Sequence, residues 1–250
     1  MAQFQLEPKL IEQTVAQLRH RIEERFPSAG LGKVCAALQA VASQSERHAT
    51  WLGQPVVWLR GIAFVLIAAM IAAPFGLWMV VDWKAGIDKW PDFVQGLEAL
   101  INEVVLFSAG IYFMYSLEGR YKRHRGMRLL QELRSLAHVV DMHQLTKDPE
   151  RITGKVYQST PSSPAAVMDG FLLRRYLDYC SEMLSLIGKV AASYIRDFED
   201  TEMVGAVNEI ETLTGDLTRK VWQKIMVLQS VLDVAPCEPG RPAPPASGQV

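Results

Sequence analysis

Four side chains in the middle of the chain are of types that occur together in metal or catalytic sites: Arg134, His138, Asp141 and His143. At about 100° per residue of an α-helix, His138 and Asp141 lie about 60° apart, whereas His143 lies about 140° from His138. These groups cannot converge on one ion from a straight helix, so we predict no metal site here. We expect Arg134, His138 and Asp141 to form an exposed polar face with contacts between successive helical turns.

The cysteines and the known catalytic motifs give no sign of enzyme chemistry. Cys35, Cys180 and Cys237 are far apart and lack a CxxC spacing, so we predict no disulfide framework. Cys180 lies in an apolar helical pattern without a neighbouring His, which predicts a buried core thiol rather than a nucleophile. The chain also lacks a phosphate-binding glycine loop, HExxH and GxSxG. We therefore predict no catalytic residue, no cofactor and no metal, and interpret the protein as non-enzymatic.

Two long apolar segments dominate the rest of the sequence. Residues 61–81 include no charged residue and would reach about 31 Å as a helix, which is enough for one membrane crossing. Residues 99–117 carry one charge, Glu103. We predict a transmembrane helical hairpin within 55–117, with spans at 61–81 and 99–117 and an external loop at 82–98.

Basic residues beside the two segments predict the orientation. Arg60 precedes the first span and a dense cluster follows the second, and short regions rich in Lys and Arg stay on the cytoplasmic side. Both termini are therefore predicted to be cytoplasmic, and the absence of a targeting segment favours a bacterial inner membrane. Either the cluster only fixes this topology, or its members also contact anionic lipid headgroups: Arg120, Lys122, Arg123, Arg125 and Arg128.

The spans themselves contain one candidate site and one candidate packing surface. Glu103 lies about 21 Å from the inner end of the second span, a costly depth that makes it a candidate for ion or proton handling. The alternative is that the span begins near Val104 and leaves Glu103 at the water boundary. Small residues recurring every four positions predict a stripe for close helix packing, with the second span as an available partner: Ala68, Ala69, Ala72, Ala73 and Gly76.

Outside the spans, apolar residues recur with helical spacing. We predict an N-terminal pair of cytoplasmic helices in 1–54, a cytoplasmic helical domain in 118–234 and a disordered tail in 235–250. The first helix should begin near Pro8 and bury one stripe: Ile11, Val15, Leu18, Ile22 and Phe26. The helix after the second span should bury another: Leu129, Leu133, Leu136 and Val140.

The last part of the domain contains a seam with alternating spacings of four and three residues, which is typical of coiled coils. Its members are Leu173, Leu177, Cys180, Leu184, Ile187, Ala191, Tyr194 and Phe198. We predict a turn near Glu199–Thr201, followed by a helix with its own apolar face: Ile210, Leu217, Val221, Ile225, Leu228 and Leu232. The two helices should pack as an antiparallel, coiled-coil-like hairpin.

The sequence therefore predicts an all-α protein: a two-span transmembrane hairpin carrying a cytoplasmic bundle of an N-terminal helix pair, a post-membrane helix and a C-terminal hairpin. A net charge of -1 does not suggest nucleic-acid binding. The expected partners are the lipid bilayer and, through the cytoplasmic helices, a second copy or another protein. The alternative function is an oligomeric pore or ion pathway lined by Glu103, because a single hairpin encloses no conduit.

Overall fold

The computed structural model describes residues 6–27, 29–80, 90–149, 168–198 and 200–234. The six long regular elements in these ranges are α-helices, and no strand occurs within them, so the predicted all-α class is confirmed. The helices are α1 (Pro8–Arg25), α2 (Gly30–Gly53), α3 (Val57–Val80), α4 (Trp90–Leu145), α5 (Gly170–Ser193) and α6 (Thr201–Val234). Residues 154–166, the predicted tail at 235–250, Cys237 and residues 82–89 of the predicted external loop lie outside the described residues.

The chain divides into two compact units. The first comprises Met1–Glu46, Glu132–Ser193 and Val207–Val250, and the second comprises Arg47–Gln131 and Tyr194–Ala206. The first unit therefore contains α1 and α5 together with parts of α2, α4 and α6. The second contains α3 and the apolar part of α4.

In the first unit, α1 and α2 form the predicted antiparallel pair. Lys9 near the start of α1 pairs with Glu46 at 3.5 Å, whereas Arg19 further along donates to Gln39 Oε1, earlier in α2, at 3.1 Å. Helix α1 begins at Pro8, as predicted, because proline has no N–H to leave unsatisfied in the first turn. All five residues of the predicted stripe, including Phe26 just beyond the helix, are buried: Ile11, Val15, Leu18, Ile22 and Phe26.

Helices α5 and α6 form the predicted antiparallel hairpin. A Cβ atom added to Gly188 in α5 would lie 3.2 Å from Thr214 Oγ1, and one added to Gly170 would lie 2.9 Å from Leu232 Cδ2. Residues early in α5 thus face residues late in α6. The close approach at Gly188 depends on the missing side chain, because a real Cβ is rarely found so near a neighbour.

The buried face of α5 is wider than the predicted seam. Seam residues from Leu173 to Tyr194 are all buried. So are five further residues on both sides of the seam: Tyr176, Tyr179, Met183, Leu186 and Val190. A two-stranded coiled coil buries only the narrow seam, so α5 packs as the central helix of a bundle.

The position of the last turn corrects one prediction. Helix α5 ends at Ser193, so Tyr194 and the half-buried Phe198 lie in the connection to α6 rather than in the predicted helical seam. In α6, five of the six predicted core residues are buried, whereas Leu232 is 42% exposed near the helix end. In α4, Leu130 and Ala137 are buried while the predicted Leu129 and Leu136 are only half-buried.

A lysine of α6 donates hydrogen bonds to backbone carbonyl groups at the end of α4. Lys224 Nζ donates to the carbonyl oxygens of Gln144 at 2.7 Å and Lys147 at 3.3 Å. The last carbonyls of a helix have no partner within it, and the negative end of the helix dipole attracts a cation. Burial lowers the pKa of Lys224, although Asp148 and Asp141 oppose this. The contact stabilises the C-terminal end of α4 at Leu145.

In the second unit, α4 is longer at its start than the predicted second span. The helix begins at Trp90, inside the predicted external loop, and passes without a break through Leu117 to Leu145. The second apolar segment therefore continues directly into the following helix. At the start of α3, the ring of Tyr121 lies edge-on to Trp51 and Trp58, with centroid distances of 6.0 and 6.1 Å.

Two helical stretches, within Gly30–Ala69 and within Val94–Leu145, are long and apolar enough to cross a membrane. In their most apolar windows of 18 residues, only 11% and 0% of the residues are buried. Large apolar side chains therefore face outward along both helices: Ile62, Phe64, Val65, Leu100, Val105 and Leu106.

Candidate functional site at the ends of the apolar helices

Three charged side chains of the second unit meet where α3 begins and where the apolar part of α4 ends. We call Arg60, Glu118 and Lys122 the junction cluster. The Glu118 carboxylate accepts hydrogen bonds from Arg60 Nε at 2.7 Å and from the Val56 backbone N–H at 3.1 Å, and it pairs with Lys122 Nζ at 3.0 Å. Because the residues flanking the two predicted spans bond to each other, these two span ends are adjacent.

The junction cluster has a fixed charge. Burial acts to raise the pKa of Glu118, but the bonds from Arg60, Lys122 and the Val56 N–H outweigh it and lower the pKa from 4.5 to about 2. One carboxylate therefore faces two cations, and the cluster has a net charge of +1. The Lys122 side chain is 8% exposed and its ammonium lies 5.6 Å from the Phe198 ring centroid, whereas Arg60 is 64% exposed.

A second charged group of the same unit holds the start of α6. Arg123 donates to Asp200 Oδ2 from Nη2 at 2.7 Å and from Nε at 3.0 Å, and to Glu202 from Nη1 at 2.7 Å. The other oxygen of Asp200 accepts the backbone N–H groups of Glu202 at 3.1 Å and Met203 at 3.3 Å. Asp200 is thus an N-cap that also forms an ion pair.

We expect Asp200→Asn to lower the free energy of unfolding by about 1 kcal/mol, because asparagine keeps the capping acceptor but loses the charge that faces Arg123. Thermal unfolding followed by far-ultraviolet circular dichroism measures the change. Glu202→Gln removes the other acidic partner of Arg123, whose side chain is 63% exposed, and should change stability by less than about 0.5 kcal/mol. Equal losses in the two variants would show that the cap and ion pair at Asp200 have no special role.

An open groove of about 570 Å³ lies against the junction cluster, and we call it the junction groove. Its apolar walls include Ala63 and Ile67 of α3 and Ile111 and Met114 of α4, and Arg60, Glu118 and Lys122 line its charged end. From the charged end, the groove is lined by residues of increasing number in α3, Ala63 and then Ile67. In α4 it is lined by residues of decreasing number, Met114 and then Ile111. The two helices thus lie antiparallel along the groove, as a hairpin requires.

The predicted basic cluster separates into two groups. Lys122 and Arg123 form the ion pairs described above. The other three are exposed: Arg120 lies 5.9 Å from the Phe113 ring centroid, Arg125 lies 4.6 Å from that of Trp51, and Arg128 extends from the same helix. Contact between these cations and lipid headgroups stays a prediction.

The predicted features within the spans are not brought into packing contacts in the single chain. Glu103 is exposed on α4. Of the small-residue stripe, Ala68, Ala69, Ala72 and Gly76 are also exposed, and a Cβ added to Gly76 would meet no atom within 4 Å. The side chain of Ala73 is outside the described part. On α3, the groove is lined by Ala63 and Ile67 rather than by the stripe, and helix packing through the stripe stays a prediction.

Of the predicted polar face late in α4, Arg134 and His138 are exposed as predicted, but the contacts that Arg134 and Asp141 form are to other residues. Arg134 instead pairs with Glu209 of α6 at 3.4 Å, and Asp141 accepts a hydrogen bond from Gln144 Nε2 at 2.6 Å. His138 is exposed, and His143 lies beside Gly30 of α2. Among the described residues, no group of three or more His, Cys, Asp or Glu side chains is arranged to hold a metal ion.

The described cysteines are core residues. Cys180 and Cys35 are fully buried, and burial raises the pKa of each thiol to about 12. Both thiols stay protonated at neutral pH, and a protonated thiol is a poor nucleophile. The prediction that Cys180 is a small core residue is confirmed.

Sequence reasoning missed the junction cluster and Asp200. It used Arg60 only as a sign of orientation and assigned Glu118 no role. The signal was nevertheless present, because opposite charges flank the two spans on the same predicted side. The aspartate before Thr201 likewise carried a recognisable N-cap pattern.

Comparisons with protein families, with curated proteins and with solved structures find no match to this chain.

Proposed function

We propose that the protein is a non-enzymatic integral membrane protein that presents a cytoplasmic helical bundle for self-association or for binding another protein. The low burial of the two apolar windows, 11% and 0%, carries the membrane part of this proposal. A core helix of a soluble protein would bury such residues, because exposing large apolar side chains to water is costly. Lipid tails are a surrounding in which these side chains incur no such cost.

We propose a hairpin with both termini in the cytoplasm of a bacterium, and the junction cluster supports the hairpin part of this proposal. Arg60 and Glu118 flank the two spans and bond to each other, so the ends that they flank lie at one level. The exposed Arg120, Arg125 and Arg128 follow closely on α4, and such cations favour the cytoplasmic side. The exposed rings of Trp58 and Tyr115 lie near the same level, where aromatic residues favour the membrane interface.

The binding part of the proposal rests on apolar side chains at the surface of the first unit. Trp222 and Met226, one turn apart on α6, are 60% and 50% exposed, and Leu10 of α1 is 57% exposed. Exposed aromatic and Met side chains are enriched in the centres of protein interfaces. Other residues already form the core of the bundle, so these exposed side chains add nothing to its folding stability. A role in binding accounts for their presence at the surface.

The proposal is tested by membrane extraction and by the mass of the purified particle. The chain should stay in the membrane pellet after alkaline carbonate treatment, and release into the supernatant would contradict the membrane assignment. In nanodiscs, native mass measurement should find two or more copies or a bound protein, and Trp222→Ser should reduce that assembly. Gln223→Ser, a change at a neighbouring exposed position, is the matched control. A lone chain that binds no protein would contradict the binding role.

The second candidate, an oligomeric ion pathway, has one supporting observation. Glu103 is exposed on α4 of the single chain, which leaves it available to a conduit formed by several copies. Liposomes containing the protein should then conduct ions, and Glu103→Gln should change that conductance. Absence of conductance, or equal conductance in the variant, would remove this role for Glu103.

A further inference from the structure

We propose that the junction groove binds one anionic phospholipid, with the phosphate at Arg60 and Lys122 and an acyl chain along the apolar walls. This inference rests on the membrane location proposed above. It assigns the headgroup contact to Arg60, which precedes the first span, rather than to the exposed cations that follow the second.

The charged end of the groove is arranged to accept an anion. Two cations share the single carboxylate of Glu118, so one positive charge is left uncompensated within the junction cluster. The bonds to Glu118 use the Nε and one Nη2 donor of Arg60, and a guanidinium has five N–H donors. Because 64% of the Arg60 side chain is exposed, the remaining part of the fork is accessible to a phosphate oxygen.

Glu118 and Lys122 give the charged end a fixed geometry. The backbone N–H of Val56, just before α3, donates to the Glu118 carboxylate and fixes its position. Glu118 in turn orients the Arg60 guanidinium. Lys122 is more than nine-tenths buried and lines the groove, where its charge is poorly screened by water. A positioned guanidinium beside a buried ammonium binds phosphate more strongly than mobile surface lysines do.

The apolar end of the groove selects an amphiphile over a free ion. Walls from α3 and α4 continue from the charged end along the two apolar windows, and Phe64 and Tyr115 border them. A free phosphate would use only the charged end, and a helix from a second copy would leave the net positive charge unpaired. An anionic phospholipid satisfies both ends at once.

The test measures lipid retained by the intact protein in detergent, by native mass spectrometry with added phosphatidylglycerol or phosphatidylcholine. Wild type should keep one phosphatidylglycerol per chain and release phosphatidylcholine. Arg60→Gln should lower the retained phosphatidylglycerol roughly tenfold, because a charged bidentate donor is lost. Arg47→Gln removes an exposed cation of the same unit, to which no lipid contact is assigned, with the same change of net charge, and it should leave retention unchanged.

A second variant tests the groove without altering charge. Gly119 lines the groove, and a Cβ added there meets no atom within 4 Å, so Gly119→Leu adds an apolar side chain at the groove wall without a clash at its Cβ. Leucine also favours a helix more than glycine does. This variant should lose the lipid to the same extent as Arg60→Gln.

Four results would overturn the inference: equal retention of both lipids, equal loss in Arg47→Gln and Arg60→Gln, unchanged retention in Gly119→Leu, or displacement of the lipid by millimolar inorganic phosphate. A dimer that Gly119→Leu dissociates, without bound lipid, would assign the groove to a second copy instead. Absence of a lipid site in a chain that resists carbonate extraction overturns this inference alone. Release by carbonate overturns the membrane proposal as well.

Discussion

Glu118→Gln should lower the free energy of unfolding of the detergent-solubilised protein by about 3 kcal/mol. The magnitude follows from the pKa of Glu118, which is lowered from 4.5 to about 2, since each pKa unit corresponds to about 1.4 kcal/mol. The neutral amide leaves the buried Lys122 without its counter-charge, and removing one partner of a buried ion pair is costly. Thermal unfolding monitored by circular dichroism measures the loss.

The same carboxylate gives this stabilisation a defined pH dependence. Because the pKa of Glu118 is lower in the folded state than its ordinary value, its contribution is complete above pH 4.5 and is lost as the pH falls toward about 2. The Gln variant should show none of this component, so the stability gap between wild type and variant should close in that window. Glu132→Gln, an exposed carboxylate on the same helix, is the control and should match wild type. A gap that stays constant down to pH 2 would contradict the assigned role of Glu118.

Leu184→Ala in α5 should lower the free energy of unfolding by about 3 kcal/mol, within the range measured for such truncations in cores. Leu184 is fully buried at the centre of the widest buried face in the first unit, so the cavity left by the change has helices around it and cannot collapse easily. Chemical denaturation followed by circular dichroism measures the loss.

The matched control for Leu184→Ala is Leu145→Ala. Leu145 is 63% exposed at the end of α4, so its truncation removes little buried area and should cost less than about 0.5 kcal/mol. Losses of similar size in the two variants would mean that α5 is not the central helix of the bundle.

The helical framework could be predicted because local patterns determine it. The stripe of α1 from Ile11 to Phe26 and the seam of α5 up to Ala191 are buried as predicted, since periodicity shows which face of a helix is apolar. Helix ends at Pro8 and Leu145 were also readable, because proline and the break after Leu145 act locally. The number of helices packed around each helix could not be predicted from local patterns. The wide buried face of α5, for example, depends on helices distant in sequence.

The candidate site was less predictable because it joins residues far apart in the chain. Arg60 and Glu118 are brought together only by the antiparallel arrangement of α3 and α4, and periodicity does not define which side of α3 faces α4. The stripe at Ala68, Ala69 and Ala72 was chosen because small residues allow close packing, whereas the groove on α3 is lined by Ala63 and Ile67. Small residues permit a contact without requiring one.

The buried thiols of Cys35 and Cys180 have a practical consequence. An alkylating reagent reaches either sulfur only when the surrounding helices separate, because both are enclosed and protonated in the closed state. The rate at which each thiol is modified therefore reports how often that region opens, and it does so without any denaturant. Cys35 in α2 and Cys180 in α5 therefore serve as two native probes of local opening in these helices.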